Sequence, residues 1–344
     1  MAAKSKKEKS CDYAQEIKKL KSSGAARLYL LCGSEDFLRD NFLDALKKNL
    51  LPDGIDDFSY RKFEGPLLDK NALSAAIDTM PFLSEHTFVE LRNIDINKLS
   101  DADEISEILK NIPDYCTVAF VLSPDYEPDG RLKIVKTIKS YGSMLIFGTP
   151  EQAMLFRWID KHFAAYGKTI SSPVKTRLVS VSGTLMNRLL PEISKIAAYA
   201  PGSEITANDV DAVANKIPES QAFDLISFIS DKNYSRAFSL MGELFQNKDN
   251  EPIAMIALLG YQFRRIFGAK LALSSGKSRA EIKEMFDIYY DFIVDDLERS
   301  AKKFSFDSLQ NAIDLCAEYE YKMKCTSSED EILFRDLVLK IITG

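Results

Sequence analysis

At 344 residues, with 46% apolar and 28% charged residues and a net charge of −6, the chain has the composition of globular protein and room for two or three domains at roughly 100–200 residues each. No apolar run approaches the roughly 20 residues that a bilayer-spanning helix needs. The mild acidic balance also lacks the basic excess of a dedicated DNA-binding domain, so any DNA contact must be local or shared.

The first ten residues, Met-Ala-Ala-Lys-Ser-Lys-Lys-Glu-Lys-Ser10, are charged and have no apolar segment behind them. They predict neither a secretory signal nor a membrane anchor, and Lys4, Lys6, Lys7 and Lys9 read as a solvated tail. Five cysteines, Cys11, Cys32, Cys116, Cys316 and Cys325, are odd in number and show no C-x-x-C pairing. That pattern predicts free, buried thiols and a cytoplasmic protein.

From residue 27 to 149, short β-rich runs alternate with amphipathic stretches. Strands are predicted at Arg27–Cys32, Ser59–Glu64, Thr87–Arg92, Tyr115–Leu122 and Ser143–Phe147, with helices between them, which is the rhythm of a mostly parallel sheet covered on both faces. The last two strands are apolar at nearly every position and are expected at the centre of the sheet.

Directly after the first strand, Gly33-Ser-Glu-Asp-Phe-Leu-Arg-Asp40 leads into a helix where a phosphate-binding loop would read G-x-x-x-x-G-K-[ST]. Such a loop uses its second glycine for close backbone approach, its lysine for the phosphates and its hydroxyl for magnesium. Here Leu38, Arg39 and Asp40 stand in those places, so the loop reads as degenerate. The third strand, Phe88-Val-Glu-Leu-Arg-Asn93, carries Glu90 but lacks the acidic pair that would hold a magnesium ion through water. Two independent nucleotide signatures therefore fail, and no cofactor is predicted.

Between the helix at Leu73–Asp78 and the third strand lies Thr79-Met-Pro-Phe-Leu-Ser84. Turns are normally polar because they run over the surface. Met80, Phe82 and Leu83 must therefore either tuck under the sheet or project as an anchor for a partner, and the residues alone favour burial because exposed apolar clusters are uncommon.

The βα rhythm breaks at Gly148-Thr-Pro150. Helical patterns follow at Glu151–Tyr166, Leu185–Ala198 and Ser203–Lys216, with Thr206-Ala-Asn-Asp209 as a capping box and no strand predicted. From about residue 217 all signals are helical: apolar positions 237, 238, 241, 244 and 245 mark one face. Asn250-Glu-Pro252 opens the next helix, and Ile253–Leu273, apolar nearly all round, is expected at the centre of a bundle. Gly276 ends it, Ser278-Arg-Ala-Glu281 caps a further helix, and helices near 291–303, 306–324 and 328–342 complete the set.

Catalytic chemistry is hard to find. His86 and His162 lie outside any metal or nucleophile motif, and the acidic pairs Asp56-Asp57 and Asp295-Asp296 read as solvated surface without partners. No catalytic residue and no metal site is predicted.

Taken in order, Leu28-Tyr-Leu-Leu-Cys-Gly-Ser-Glu-Asp-Phe-Leu38, Pro81-Phe-Leu-Ser84, Met186-Asn-Arg-Leu-Leu-Pro-Glu-Ile-Ser-Lys195, Ile205-Thr-Ala-Asn-Asp-Val210, Ala222-Phe-Asp-Leu-Ile226 and Gln262-Phe-Arg-Arg265 make a specific pattern. Over nearly the whole chain it resembles the delta-subunit family of the bacterial DNA polymerase III clamp loader. The resemblance implies an α/β AAA+-like domain with a degenerate P-loop over 1–149, a small helical lid domain over 150–216 and an all-α collar over 217–344 that joins the loader subunits. It also implies binding and opening of the sliding clamp (beta), with Pro81 and Phe82, flanked by Met80 and Leu83, as the apolar wedge. This reverses the weighting of that turn.

A bulky aliphatic residue is commoner in the family at the position of Pro81, which leaves Phe82 as the main anchor. DNA within the assembled loader is a further implied partner, with Arg264 and Arg265 as possible contacts or, equally, members of salt bridges. Membership of the polymerase III holoenzyme would place the chain under nucleotidyltransferases without a catalytic site of its own. The alternatives are a degenerate AAA+ ATPase or an AAA+-like scaffold of another assembly.

Overall fold

A computed structural model describes residues 10–52, 54, 58–82, 84–124, 126–246, 251–325 and 329–343. The basic tail through Lys9, the pair Asp56-Asp57, Leu83 and Asn250 lie outside these residues. The chain divides into two units, one ending at Pro150 and including Leu185–Asn187, the other holding Glu151–Thr184 and everything from Arg188 onward.

In the first unit, α1 (Tyr13–Ser23) precedes five strands, β1 (Leu28–Cys32), β2 (Tyr60–Glu64), β3 (Thr87–Arg92), β4 (Cys116–Val121) and β5 (Ser143–Ile146). They alternate with α2 (Asp36–Leu50), α3 (Lys70–Asp78), α4 (Ala102–Lys110) and α5 (Lys133–Tyr141). All pairings are parallel, in the order β2-β3-β4-β1-β5. Strands β1 and β4 are buried at every residue because helices cover both faces. Leu30, Leu91, Val118 and Phe120 meet Leu73, Ile105 and Ile134 in one core cluster.

The apolar run 143–147 does not lie at the centre of the sheet. It forms β5 at the edge, and β4, between β3 and β1, is central. Apolar residues on both faces report covered faces and leave the edge undetermined. The exposed edge of β5 is met by the segment before α1: the Cys11 N–H donates to the Ile146 carbonyl at 2.8 Å, and Ser10 Oγ accepts from the Gly148 N–H at 3.0 Å. The opposite edge, β2, carries Arg61, Lys62 and Glu64 outward, charges that discourage edge-to-edge pairing.

The second unit holds helices α6 (Gln152–Ala165), α7 (Ser172–Ser182), α8 (Met186–Tyr199, whose first two residues belong to the first unit), α9 (Ala207–Val213), α10 (Pro218–Ser230) and α11 (Tyr234–Gln246). After them come α12 (Pro252–Ser274), α13 (Arg279–Phe286), α14 (Asp291–Lys303), α15 (Phe306–Cys325) and α16 (Asp330–Thr343). The expectation of no strand here is corrected: β6 (Thr169–Ile170) and β7 (Glu204–Ile205) pair in parallel. Two-residue strands leave no readable alternation. The capping boxes at Thr206/Asp209 and Ser278/Glu281 are both formed. Helix α12 packs most extensively on α15, also touching α10, α14 and α16; its Ile256, Leu259, Phe263 and Ile266 are buried in the same cluster as Leu309, Ala312, Cys316 and Tyr319.

Candidate functional site

Helix α3 starts at Asp69, whose carboxylate accepts from the Asn71 N–H, and ends at Thr79, whose backbone turns extended while its hydroxyl donates back to the Ala75 carbonyl at 2.7 Å. The following turn is pinned at both ends. The Tyr115 hydroxyl donates to the Asp78 carbonyl at 3.3 Å, and the Tyr115 carbonyl accepts from the Thr87 N–H at 2.7 Å. Between these pins Met80 is 75% exposed and Phe82 is 79% exposed, so both project instead of tucking under the sheet. Pro81 is half-buried, and Leu83 lies outside the described residues. Phe58, itself 57% exposed, faces Phe82 with ring centroids 6.4 Å apart and planes tilted by 52°. Phe58 leads into β2 and Phe82 into β3; the strands are parallel, so the rings share the end of the sheet where strands begin.

The loop after β1 lies at the other end of the sheet, where the strand order reverses around β1, the usual place for a ligand in an open α/β sheet. Here the chain fills it. Gly33 has φ +114°, and a Cβ there would come within 2.3 Å of the Phe147 carbonyl oxygen, so only glycine fits. Glu35 is wholly buried and caps α2 by accepting from the Phe37 N–H at 3.3 Å. Its second oxygen accepts from the N–H of Met186, the first residue of α8, also at 3.3 Å. A helix N-terminus presents unpaired N–H donors, and the Glu35 carboxyl supplies acceptors for them internally. Burial, the largest influence, pushes its pKa up to about 7 even though both N–H bonds lower it. Leu38 belongs to the core. Arg39 is buried and donates to the Leu122 carbonyl at 2.7 Å and to Asp40 at 3.1 Å.

Glu90, read in the sequence as a lone acid, is 1% exposed and densely partnered. Lys47 of α2 lies 2.7 Å from one carboxylate oxygen, which also accepts from the Tyr60 hydroxyl at 2.8 Å; Arg92 Nε donates to the other at 2.8 Å. Burial alone would raise its pKa, and the three hydrogen bonds together hold it below the usual carboxylate value. The cluster joins α2, β2 and β3, so no local motif could have announced it.

The remaining candidates do not assemble into a reactive site. His162 Nδ1 lies 2.8 Å from the Trp158 carbonyl, and the backbone carbonyl of His86 accepts from Ser84 Oγ. Asp295 and Asp296 have partners after all: Arg279, from α13, lies 2.6 Å from Asp295, and Arg299, one turn along α14, lies 3.1 Å from Asp296. All five cysteines are free; Cys32, Cys116 and Cys316 are buried as expected, but Cys11 is only half-buried and Cys325, at the end of α15, is exposed, and burial pushes the thiols of Cys116 and Cys316 up to about 11 and 12. Among the described residues no cluster of His, Cys, Asp and Glu could hold a metal ion. Among the described residues no helix is long and apolar enough to cross a membrane.

Arg264 is exposed on α12, and Arg265 lies half-buried with its guanidinium 5.5 Å from the Tyr261 ring. Among the described residues neither forms a salt bridge.

Two parts of the chain match models of one family: residues 29–147 match "DNA polymerase III, delta subunit", and residues 219–341 match "DNA polymerase III delta subunit, C-terminal domain". The DNA polymerase III subunit delta of Bacillus subtilis is 23% identical over 336 residues, covering 94% of this chain and 95% of that protein. The probable DNA polymerase III subunit delta of Aquifex aeolicus is 18% identical over 293 residues, covering 83% of each. The solved structure of the Bacillus subtilis DNA clamp loader delta protein has the same fold, with a TM-score of 0.60 at 21% identity over 97% of this chain and 100% of that one. With both its α/β part and its helical C-terminal part matched in order, the chain belongs to the delta-subunit family of DNA polymerase III.

Proposed function

We propose that this chain is the clamp-opening subunit of a clamp loader and that it binds the sliding clamp through the turn at Met80–Leu83, with Phe82 as principal anchor. The exposure of Phe82 on a turn pinned at both ends carries this reading. A few exposed aromatic anchors can supply much of an interface's energy while their surroundings exclude water. Opening a ring requires only differential binding: the subunit must hold the opened clamp more tightly than the closed one, and that difference bounds the shift it can produce.

The same reading makes the first unit AAA+-like with a degenerate P-loop at Gly33, Leu38, Arg39 and Asp40. The burial of Arg39 and the occupation of the α2 N-terminus by Glu35 support it. The chain then contributes no bond chemistry of its own, and ATP hydrolysis by neighbouring subunits controls access to Phe82. We assign residues 150–216 to a lid and 217–344 to a collar that joins the loader subunits. Arg264 and Arg265 are the candidate DNA contacts.

The test is surface plasmon resonance against the sliding clamp of the same organism, for wild type and Phe82→Ala, with circular dichroism confirming that both are folded. Binding by the wild type that weakens by about 2 kcal/mol or more in the variant, the scale of a hot-spot residue, supports the reading. Absence of wild-type binding at micromolar concentration rejects it.

A further inference from the structure

We infer that Phe58 is a second element of the clamp contact, a positioning and co-anchoring ring that makes the wedge a two-residue aromatic tooth; the inference rests on the clamp-binding reading above. Three observations lead to it.

First, the two rings are near neighbours and both are exposed. Phe58 and Phe82 have centroids 6.4 Å apart, yet they retain 57% and 79% of their accessible surface. A ring pair whose purpose was to complete the core would be far more covered. Large exposed aromatic surface carried by two separate segments is what a partner site presents before it is filled.

Second, Phe58 stands on a rigid platform. The next carbonyl, that of Ser59, accepts from the Phe88 N–H at 2.7 Å, and Tyr60 is in register with Phe88, its ring stacked on the Phe88 ring at 6.0 Å. Phe58 thus lies two residues before β2, a strand paired with β3, and Phe82 lies five residues before β3 begins. Both rings are carried by the same pair of strands.

Third, the contact lowers the entropy lost on binding. An exposed phenylalanine on a turn samples several rotamers, and a partner must select one. A tilted neighbour ring at this separation lies in the favourable range for aromatic pairs and restricts Phe82 before the clamp arrives. The clamp's receiving pocket must then accept two adjoining rings, which broadens the expected footprint from the α3–β3 turn to the entrance of β2.

The experiment measures binding to the sliding clamp by surface plasmon resonance for wild type, Phe58→Ala, Phe58→Tyr, Phe82→Ala and the double alanine variant. Leu67→Ala serves as a control, because Leu67 is more exposed than either ring but follows β2 at the other end of the sheet. Thermal melts establish that each variant is folded.

We expect Phe58→Ala to weaken binding about 10-fold, the scale of one aromatic contact. Phe58→Tyr should retain wild-type affinity, Leu67→Ala should have no effect, and the double variant should lose less than the product of the single losses. Such coupling is a signature that a general loss of structure would not give. Wild-type affinity in Phe58→Ala, alongside strong loss in Phe82→Ala, overturns the role of Phe58 and leaves the clamp reading standing. Failure of Phe82→Ala to weaken binding, or absence of wild-type binding, overturns both.

Discussion

The Glu35 carboxylate and the Met186 N–H meet at 3.3 Å across 151 residues of sequence. With the bond from Phe37, one buried carboxylate serves the first turns of α2 and α8 at the place where a nucleotide-binding loop would hold phosphate. An internal carboxyl there satisfies donors that make helix N-termini attractive to phosphate.

Glu35 predicts a pH dependence of stability. Its folded pKa, near 7, lies above the ordinary carboxylate value, so between pH 4.5 and 7 the folded state binds the proton more readily than the unfolded state. Stability then falls as pH rises through this window, by at most about 3 kcal/mol from this group. Glu35→Gln keeps an acceptor and removes the titration. In urea denaturation at pH 5 and pH 8, the wild type should lose more stability on going to pH 8 than the variant does. Equal losses would contradict the assignment.

Glu90 predicts the opposite sign at lower pH. Its depressed pKa means that its ion pairs with Lys47 and Arg92 stabilise the fold above the ordinary carboxylate pKa and weaken as pH falls through the folded value. Glu90→Ala leaves two cations and the Tyr60 hydroxyl facing an emptied buried position. The expected loss is about 3 kcal/mol at neutral pH, the lower end for breaking a buried pair, measured by chemical denaturation. A loss under about 0.5 kcal/mol, typical of a surface site, would show that the cluster reorganises without strain.

Nucleotide should leave the protein's stability unchanged. A ligand bound at 100 times its Kd adds about 2.7 kcal/mol, an effect readily seen in a melting curve. With Leu38 in the core and Arg39 bound to Leu122 and Asp40, ATP with magnesium at roughly 100 times a micromolar Kd should give no shift in Tm. A clear upward shift would revive the reading of the chain as an ATPase.

The contrast between what was legible and what was not follows the range of each interaction. Strands β1 to β5 lie close to where alternation and apolar runs place them, and the boxes at Thr206 and Ser278 are local signals confined to four residues. The order of strands is a different matter: the apolarity of 143–147 says nothing of its edge position, nor of Ser10 and Cys11, which hydrogen-bond along that edge from far away in the sequence. Helices α1 and α7 are absent from the predicted elements; α7, Ser-Pro-Val-Lys-Thr-Arg-Leu-Val-Ser-Val-Ser, is rich in β-branched residues and serine, whose helix propensities are middling. Of the candidate site, the turn at Met80–Phe82 was visible because apolar residues stood where polar ones belong. Phe58 and the partners of Glu90 were not, because they arrive from other strands and helices.

Arg265 predicts a division between stability and function. Burial holds its pKa below that of an ordinary guanidinium, and among the described residues its Nε is buried without a hydrogen-bond partner, while Tyr261 offers a ring face at 5.5 Å. An unsatisfied buried donor costs about 1–3 kcal/mol, so Arg265→Met, which keeps the length of the stem and removes the polar head, should leave the melting temperature unchanged or raise it. If the proposed DNA contact is correct, the same variant assembled into the loader should bind primed DNA more weakly, and the slope of log affinity against log salt should fall by about 1 for one lost phosphate contact. Lower stability with unchanged salt dependence would assign Arg265 to packing alone and withdraw it from the DNA interface.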